Sequence, residues 1–143
     1  MLKRTVIAHL KEHGHEINDA GCHTADSCDY PKYGRAVADA VACGKAEKGI
    51  VLCTTGIGIS MVANKIRGIR AAVCTDTTMA YLTRSHNDAN VLALGAGIIG
   101  EKTALDIVDT FLSTPFSNEE KHIRRVAQIE QQADALINNR EIL

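Results

Sequence analysis

The sequence contains no tryptophan, and aromatic residues make up only 3% of its 143 positions. Platforms on which nucleobases could stack are therefore not expected. Neither sign of charge is in excess, with 16 Lys plus Arg against 17 Asp plus Glu and a formal net charge of −1. Nucleic acid needs a basic field and an anionic membrane needs a polybasic tract, so neither is expected as a partner. No apolar run approaches the length of a membrane span. The opening Met1-Leu-Lys-Arg-Thr-Val-Ile-Ala-His-Leu-Lys turns charged too early for a signal peptide. Five cysteines, Cys22, Cys28, Cys43, Cys53 and Cys74, are odd in number and lack paired spacing, which does not read as a disulfide framework. A cytoplasmic, reducing environment is predicted.

What is present is a 45% hydrophobic content, enough for one domain spanning 1–143 with a real core and no metal or disulfide staple. Leu2, Val6 and Leu10 recur every four residues, predicting a helix over 2–13 that Gly14 ends. An extended piece over 15–20 follows, then a polar loop with Cys22, His23, Asp26, Ser27 and Cys28. Pro31 opens a second helix running to about Cys43, with Ala36, Val37, Ala40 and Val41 as its apolar face. Gly49-Ile-Val-Leu-Cys53 is an unbroken apolar run, the mark of a parallel strand covered on both faces. A helix through Met61, Val62 and Ile66 comes next, then a strand over 69–74, a helix over 76–84 and a strand over 90–94. Ala104, Ile107, Val108 and Phe111 mark the inner face of a helix over 101–112, and a long charged helix spans about 118–138. Alternation of this kind predicts an α/β fold: an open, mostly parallel Rossmann-like sheet with helices on both faces and a long C-terminal helix.

Ligands in such sheets gather at the carboxyl ends of the strands, here marked by Cys53, Cys74 and Gly95. In Cys53-Thr-Thr-Gly-Ile-Gly-Ile-Ser60, Gly56 and Gly58 allow positive φ and a close backbone approach, and a helix N-terminus follows. An anion suits that position, although a plain strand–helix turn has the same spacing. The loop lacks the Gly-Lys-Ser/Thr ending of a P-loop and the third glycine of the dinucleotide fingerprint. Cys53 can serve as a proton-abstracting base, or simply as a small buried hydrophobe. His86, Asn87 and Asp88 combine a proton shuttle with polar neighbours, or else form a helix-ending turn. Lys121 and Arg125, four apart, can grip a phosphate, or line a solvated helix face. A metal site from His13, His15, Cys22, His23 and Cys28 is disfavoured, because the Cys22–Cys28 spacing is not that of a metal knuckle.

Taken in order, Asp29-Tyr-Pro, Gly49-Ile-Val-Leu-Cys-Thr-Thr-Gly-Ile-Gly-Ile-Ser, Ala63-Asn-Lys, Gly68-Ile-Arg-Ala-Ala-Val-Cys and His86-Asn-Asp-Ala-Asn-Val-Leu-Ala-Leu-Gly resemble the ribose-5-phosphate isomerase B family along essentially the whole chain. The resemblance implies an aldose–ketose sugar-phosphate isomerase that needs no cofactor and no metal. It implies that Cys53 is the base moving a proton between C1 and C2, that Thr55 assists transfer between O1 and O2, and that Gly56, Gly58 and Ser60 form the loop holding the enediolate. By the same likeness His86 opens the furanose ring, Asn87 neighbours it, Tyr30 lines the substrate, and Lys121 and Arg125 bind the phosphate. A homodimer or homotetramer with a site shared between subunits is implied as well. Related galactose-6-phosphate isomerase subunits match less well, which leaves hexose 6-phosphates of the allose or galactose type as an alternative substrate class.

The chain departs from the family pattern in several places. Thr54 stands where a glycine is usual, Lys121 where an arginine is usual, and one extra residue lies between Phe116 and Lys121. Family members open with a short strand and an Asp-His-Ala-Gly-type turn, whereas this chain starts at Met1-Leu2-Lys3, inside the first helix. Reduced stability and impaired turnover are the expectation from that start. A non-catalytic sugar-phosphate-binding relative is the competing reading. Cys53 and His86 together argue against it, since binding alone needs neither a base nor a ring-opening acid.

Overall fold

Apolar positions at four-residue spacing bury Leu2, Val6 and Leu10 and make helix α1 (Leu2–Glu12). In the computed structural model, residues 2–24 and 28–138 are described, with side chains as far as residue 131. Asp26 and Ser27 of the polar loop lie outside the described residues. The order continues with α2 (Tyr30–Ala42), β1 (Gly49–Cys53), α3 (Ile57–Ala63), β2 (Ala71–Val73), α4 (Thr77–Asn87), β3 (Val91–Gly95), α5 (Glu101–Ser113) and α6 (Glu120–Asn138).

The three strands are parallel in the order β1-β3-β2, with Gly49 opposite Val91 and Cys53 opposite Gly95. The central strand β3 is buried along its whole length, as its unbroken apolar sequence requires. Its residues alternate between two cores, because successive side chains point to opposite faces. Leu92 and Leu94 join α1, α4 and α5 in one core, while Val91 and Ala93 join α2 and α3 in the other. Helices therefore cover both faces, as the alternation implies. Each fully buried Leu, Ile or Phe contributes about 1.5–3 kcal/mol. Ile107, Val108 and Phe111 of α5 are all inaccessible to solvent.

Several boundaries differ from expectation for local reasons. Residues 15–20 form no ladder; Lys3 instead pins them by an ion pair to Asp19 (3.0 Å) and a bond to the Cys22 carbonyl (2.8 Å). The inner face of α2 is Gly34, Val37, Ala38 and Val41, and Ala36 faces solvent. Helix α3 stops at Ala63 because the Asn64 amide turns to the edge of β2, donating to Ala71 O (2.9 Å) and accepting from Ala71 N–H (2.7 Å). Helix α4 runs three residues beyond Arg84, so His86 and Asn87 occupy its last turn. Asp88 takes the left-handed cap position at φ 46°, and Asp88 and Ala89 donate their N–H groups to Arg84 O and Thr83 O. Arg84 and Arg70 both hold the Asp88 carboxylate there, at 2.8 and 3.3 Å.

Candidate active site

The end of β1 delivers Cys53 to a turn that closes against the end of β3. Ala96 N–H donates to Cys53 O (2.8 Å) and Gly97 N–H to Thr54 O (2.9 Å). Gly56 has φ 79°, and a β-carbon on it would stand 3.0 Å from the Leu94 carbonyl carbon. Only glycine combines that torsion with that approach. The turn brings the Gly56 N–H to Cys53 Sγ (3.1 Å), which aims the half-buried sulfur at the loop. Thr55 Oγ1 accepts from Ile57 N–H (3.2 Å) at the first residue of α3. Gly58 and Ile59 lie in that first turn, ahead of the first i→i−4 bond, which runs from Ser60 N–H to Gly56 O (3.2 Å). The Ser60 hydroxyl donates to Ile57 O (2.7 Å), so both its polar groups brace the loop.

Tyr30, in the first turn of α2, covers this loop from the side. A β-carbon on Gly58 would meet its hydroxyl oxygen at 2.5 Å, so bare backbone at 58 is what admits the ring. Thr54 is accommodated because residue 97 is glycine, where a β-carbon would lie 3.1 Å from both Thr54 Cγ2 and Thr54 O. Cys53, Thr55, Gly56, Gly58, Ser60 and Tyr30 thus form one group at the carboxyl edge of the sheet.

His86, Asn87, Lys121 and Arg125 form a second group elsewhere. The His86 ring stacks on His122 of α6, with centroids 4.1 Å apart and planes inclined by 33°. His122 is buried (3% exposed), and its Nδ1 is hydrogen-bonded to Ser117 Oγ (2.9 Å). Burial, then the nearby His86, push the His122 imidazole below its ordinary value; Lys121 and Arg125 act the same way and Glu119 opposes them. Lys121 pairs with Glu119 (2.9 Å), and the two arginine bonds to Asn87 O and Asp88 O from Arg70 Nε (3.1 and 3.0 Å) tie the end of α4 to the start of β2. Sequence reading missed His122 and Ser117. The available signal was a stripe at four-residue spacing, His122, Val126 and Glu130, each withdrawn from solvent along the inner side of α6.

Topology separates the two groups. Helix α4 leaves the carboxyl end of β2 and returns to the amino end of β3, parallel to β2. Its last turn, with His86, therefore lies at the amino edge of the sheet, while Cys53 ends β1 at the opposite edge. Strand β1 alone spans about 13 Å at roughly 3.3 Å per residue. Among the described residues, no group of three or more His, Cys, Asp or Glu side chains is arranged to hold a metal ion, and no helix is long and apolar enough to cross a membrane.

The pattern of the Ribose/Galactose Isomerase family matches residues 1–129. Ribose-5-phosphate isomerase B of Escherichia coli (strain K12) is 43% identical over 133 residues, covering 92% of this chain and 89% of that protein. The galactose-6-phosphate isomerase subunit LacB of Clostridium acetobutylicum is 37% identical over 138 residues, 96% of this chain and 78% of that one. Among solved structures, ribose-5-phosphate isomerase B of Clostridium thermocellum superposes with a TM-score of 0.92 at 49% identity, covering 94% of this chain and 90% of that one.

Proposed function

The chain belongs to the ribose/galactose isomerase family, and on that premise we propose that it interconverts ribose 5-phosphate and ribulose 5-phosphate without a cofactor. The observation that carries this reading is the Cys53 thiol at the mouth of the glycine turn, with the Gly56 N–H directed at its sulfur. A base at that spot faces a helix start whose amides favour a developing oxyanion.

In the open-chain aldose, the Cys53 thiolate removes the C2 proton and its electron pair becomes the C1–C2 double bond of an enediolate, with the charge moving to O1. The Thr55 hydroxyl assists the proton shift from O2 to O1. Cys53 then returns its proton to C1, leaving the C2 carbonyl of the ketose and the thiolate as it began. Amides of the Gly56–Gly58 turn favour the enediolate, Ser60 braces that turn, and Tyr30 walls the pocket. His86 opens the furanose ring by moving the proton between O4 and O1, with Asn87 beside it. Lys121 and Arg125 hold the phosphate, so that binding energy far from the reacting carbons positions them.

His86, Asn87, Lys121 and Arg125 cannot reach Cys53 of their own chain from the opposite sheet edge. We therefore infer a homodimer at least, in which the Cys53 turn of one copy faces the His86 group of another, each copy acting as one domain in the cytoplasm. A hexose 6-phosphate is the second substrate reading, favoured by the similarity to the galactose-6-phosphate isomerase subunit.

The test is to incubate the protein with ribose 5-phosphate, allose 6-phosphate and galactose 6-phosphate in parallel with Cys53→Ala. Ketose formation from ribose 5-phosphate that disappears in the variant is expected. A folded wild-type chain that turns over none of the three would move the reading to a binding-only scaffold.

A further inference from the structure

Two imidazoles stacked at 4.1 Å cannot both carry a proton without strong repulsion. Their surroundings differ. His122 is shut inside the α4–α6 contact, while His86 is half exposed. The charged groups facing His122 are His86 from α4, Glu119 from the preceding turn, and Lys121 and Arg125 from its own helix. Burial and three of these four disfavour a charged His122.

The anchoring of His122 is equally specific. Ser117 Oγ accepts the Glu119 N–H (3.3 Å) and is bonded to His122 Nδ1 (2.9 Å), while the Ser117 N–H donates to Ser85 O (3.0 Å) in the last turn of α4. One short segment therefore ties the His122 ring to the residue preceding His86. A Ser hydroxyl already accepting from a backbone N–H has its own proton free for Nδ1, which would put the His122 proton on Nε2.

We propose that His122 is a positioning residue, a buried platform locked by Ser117 that fixes the ring of His86 for opening the sugar. This rests on the isomerase reading above and adds to it a group that touches no substrate. Its consequence is selective. Ribose 5-phosphate arrives as a furanose and must be opened. Ribulose 5-phosphate has its C5 oxygen esterified, cannot close a furanose, and arrives open. Loss of the platform should therefore harm ring opening and spare enolisation.

The experiment uses the full chain with His122→Ala, His122→Phe and Ser117→Ala. Two rates are measured for each: ribulose 5-phosphate formed from ribose 5-phosphate, and solvent deuterium entering C1 of ribulose 5-phosphate. For His122→Ala, kcat for the first should fall by about 10- to 100-fold, with KM and the exchange rate within about twofold of wild type. His122→Phe keeps a stacked ring in the buried place and should recover most of the loss; Ser117→Ala should fall between. Unchanged conversion in His122→Ala, or equal loss of conversion and exchange in both His122 variants, would overturn the proposal. Absence of both rates in the wild type would instead defeat the isomerase reading and this inference with it. Should His122→Ala fail to fold, the Phe and Ser117 variants decide.

Discussion

The hydroxyl oxygen of Tyr30 lies 2.5 Å from the point where a side chain on Gly58 would begin. That contact joins the start of α2 to the glycine turn, and it makes the glycine a fitted surface for an aromatic ring. Gly58→Ala should raise KM for the sugar phosphate several-fold, because Tyr30 must swing away. Tyr30→Ala combined with Gly58→Ala should add no further loss, since the collision is gone; neighbouring residues that share one contact are not additive. Gly56→Ala meets backbone of Leu94 and Gly95 at positive φ instead, so no side-chain change relieves it. It should cost about 1–2 kcal/mol of stability in a urea titration. Additive effects of the Tyr30 and Gly58 changes would contradict the fitted-surface account.

Separating the two chemical steps tests the assignments of Cys53 and His86. Cys53→Ala should abolish both the conversion of ribose 5-phosphate and deuterium exchange into ribulose 5-phosphate. His86→Asn should reduce the conversion by about 10²- to 10⁴-fold while leaving exchange close to wild type. Parallel loss of both rates in His86→Asn would remove the ring-opening role.

Stability should carry the signature of His122. Its folded-state value lies below the ordinary 6.5, chiefly from burial and then from the neighbouring His86. The unfolded chain then takes up the proton first as pH falls. This contribution is intact above 6.5 and is lost progressively below it, toward the folded value. Urea midpoints measured on either side of pH 6.5 should fall on the acid side in the wild type and fall less in His122→Phe. The same acid-side decline in both proteins would exclude His122 as its source.

The thiols should react in a fixed order. Hydrogen bonds from the Thr24 side chain, then its backbone, and from Cys28 bring Cys22 down to about 7. Burial, and secondarily Asp76, push Cys74 up to about 11. Brief iodoacetamide treatment at neutral pH followed by peptide mass mapping should find Cys22 labelled and Cys74 untouched until the protein is unfolded. Early labelling of Cys74 would mean that the β2–α4 junction opens readily.

Strand β1, its glycine turn and the inner face of α5 were legible because each is local: an apolar run, two glycines two apart, and a four-residue periodicity. The end of α4 was not. Ser85-His-Asn reads as a turn, yet Arg70 and Arg84 converge on Asp88 and carry the helix through His86. One of those arginines comes from a distant segment, which no local window contains. Strand β2 was overestimated at its start because the Arg70 N–H donates to the Asn90 side chain (2.9 Å) and so leaves the ladder. His122 was hidden in Lys-His-Ile-Arg-Arg, whose charges suggest a solvated face, although its spacing to Val126 and Glu130 pointed inward. The candidate residues were readable one by one. Their division between two edges of the sheet emerges only once the parallel pairing is known.

That division has a consequence in how defects combine. In a pair of chains where each lends its Cys53 turn to the other's His86 group, damage to Cys53 in one chain and to His86 in the other falls on the same pocket. The second pocket then draws both intact halves. Two dead variants, unfolded together and refolded as a mixture, would regain activity in their hybrid pairs, while a site contained in one chain would stay silent however they were mixed.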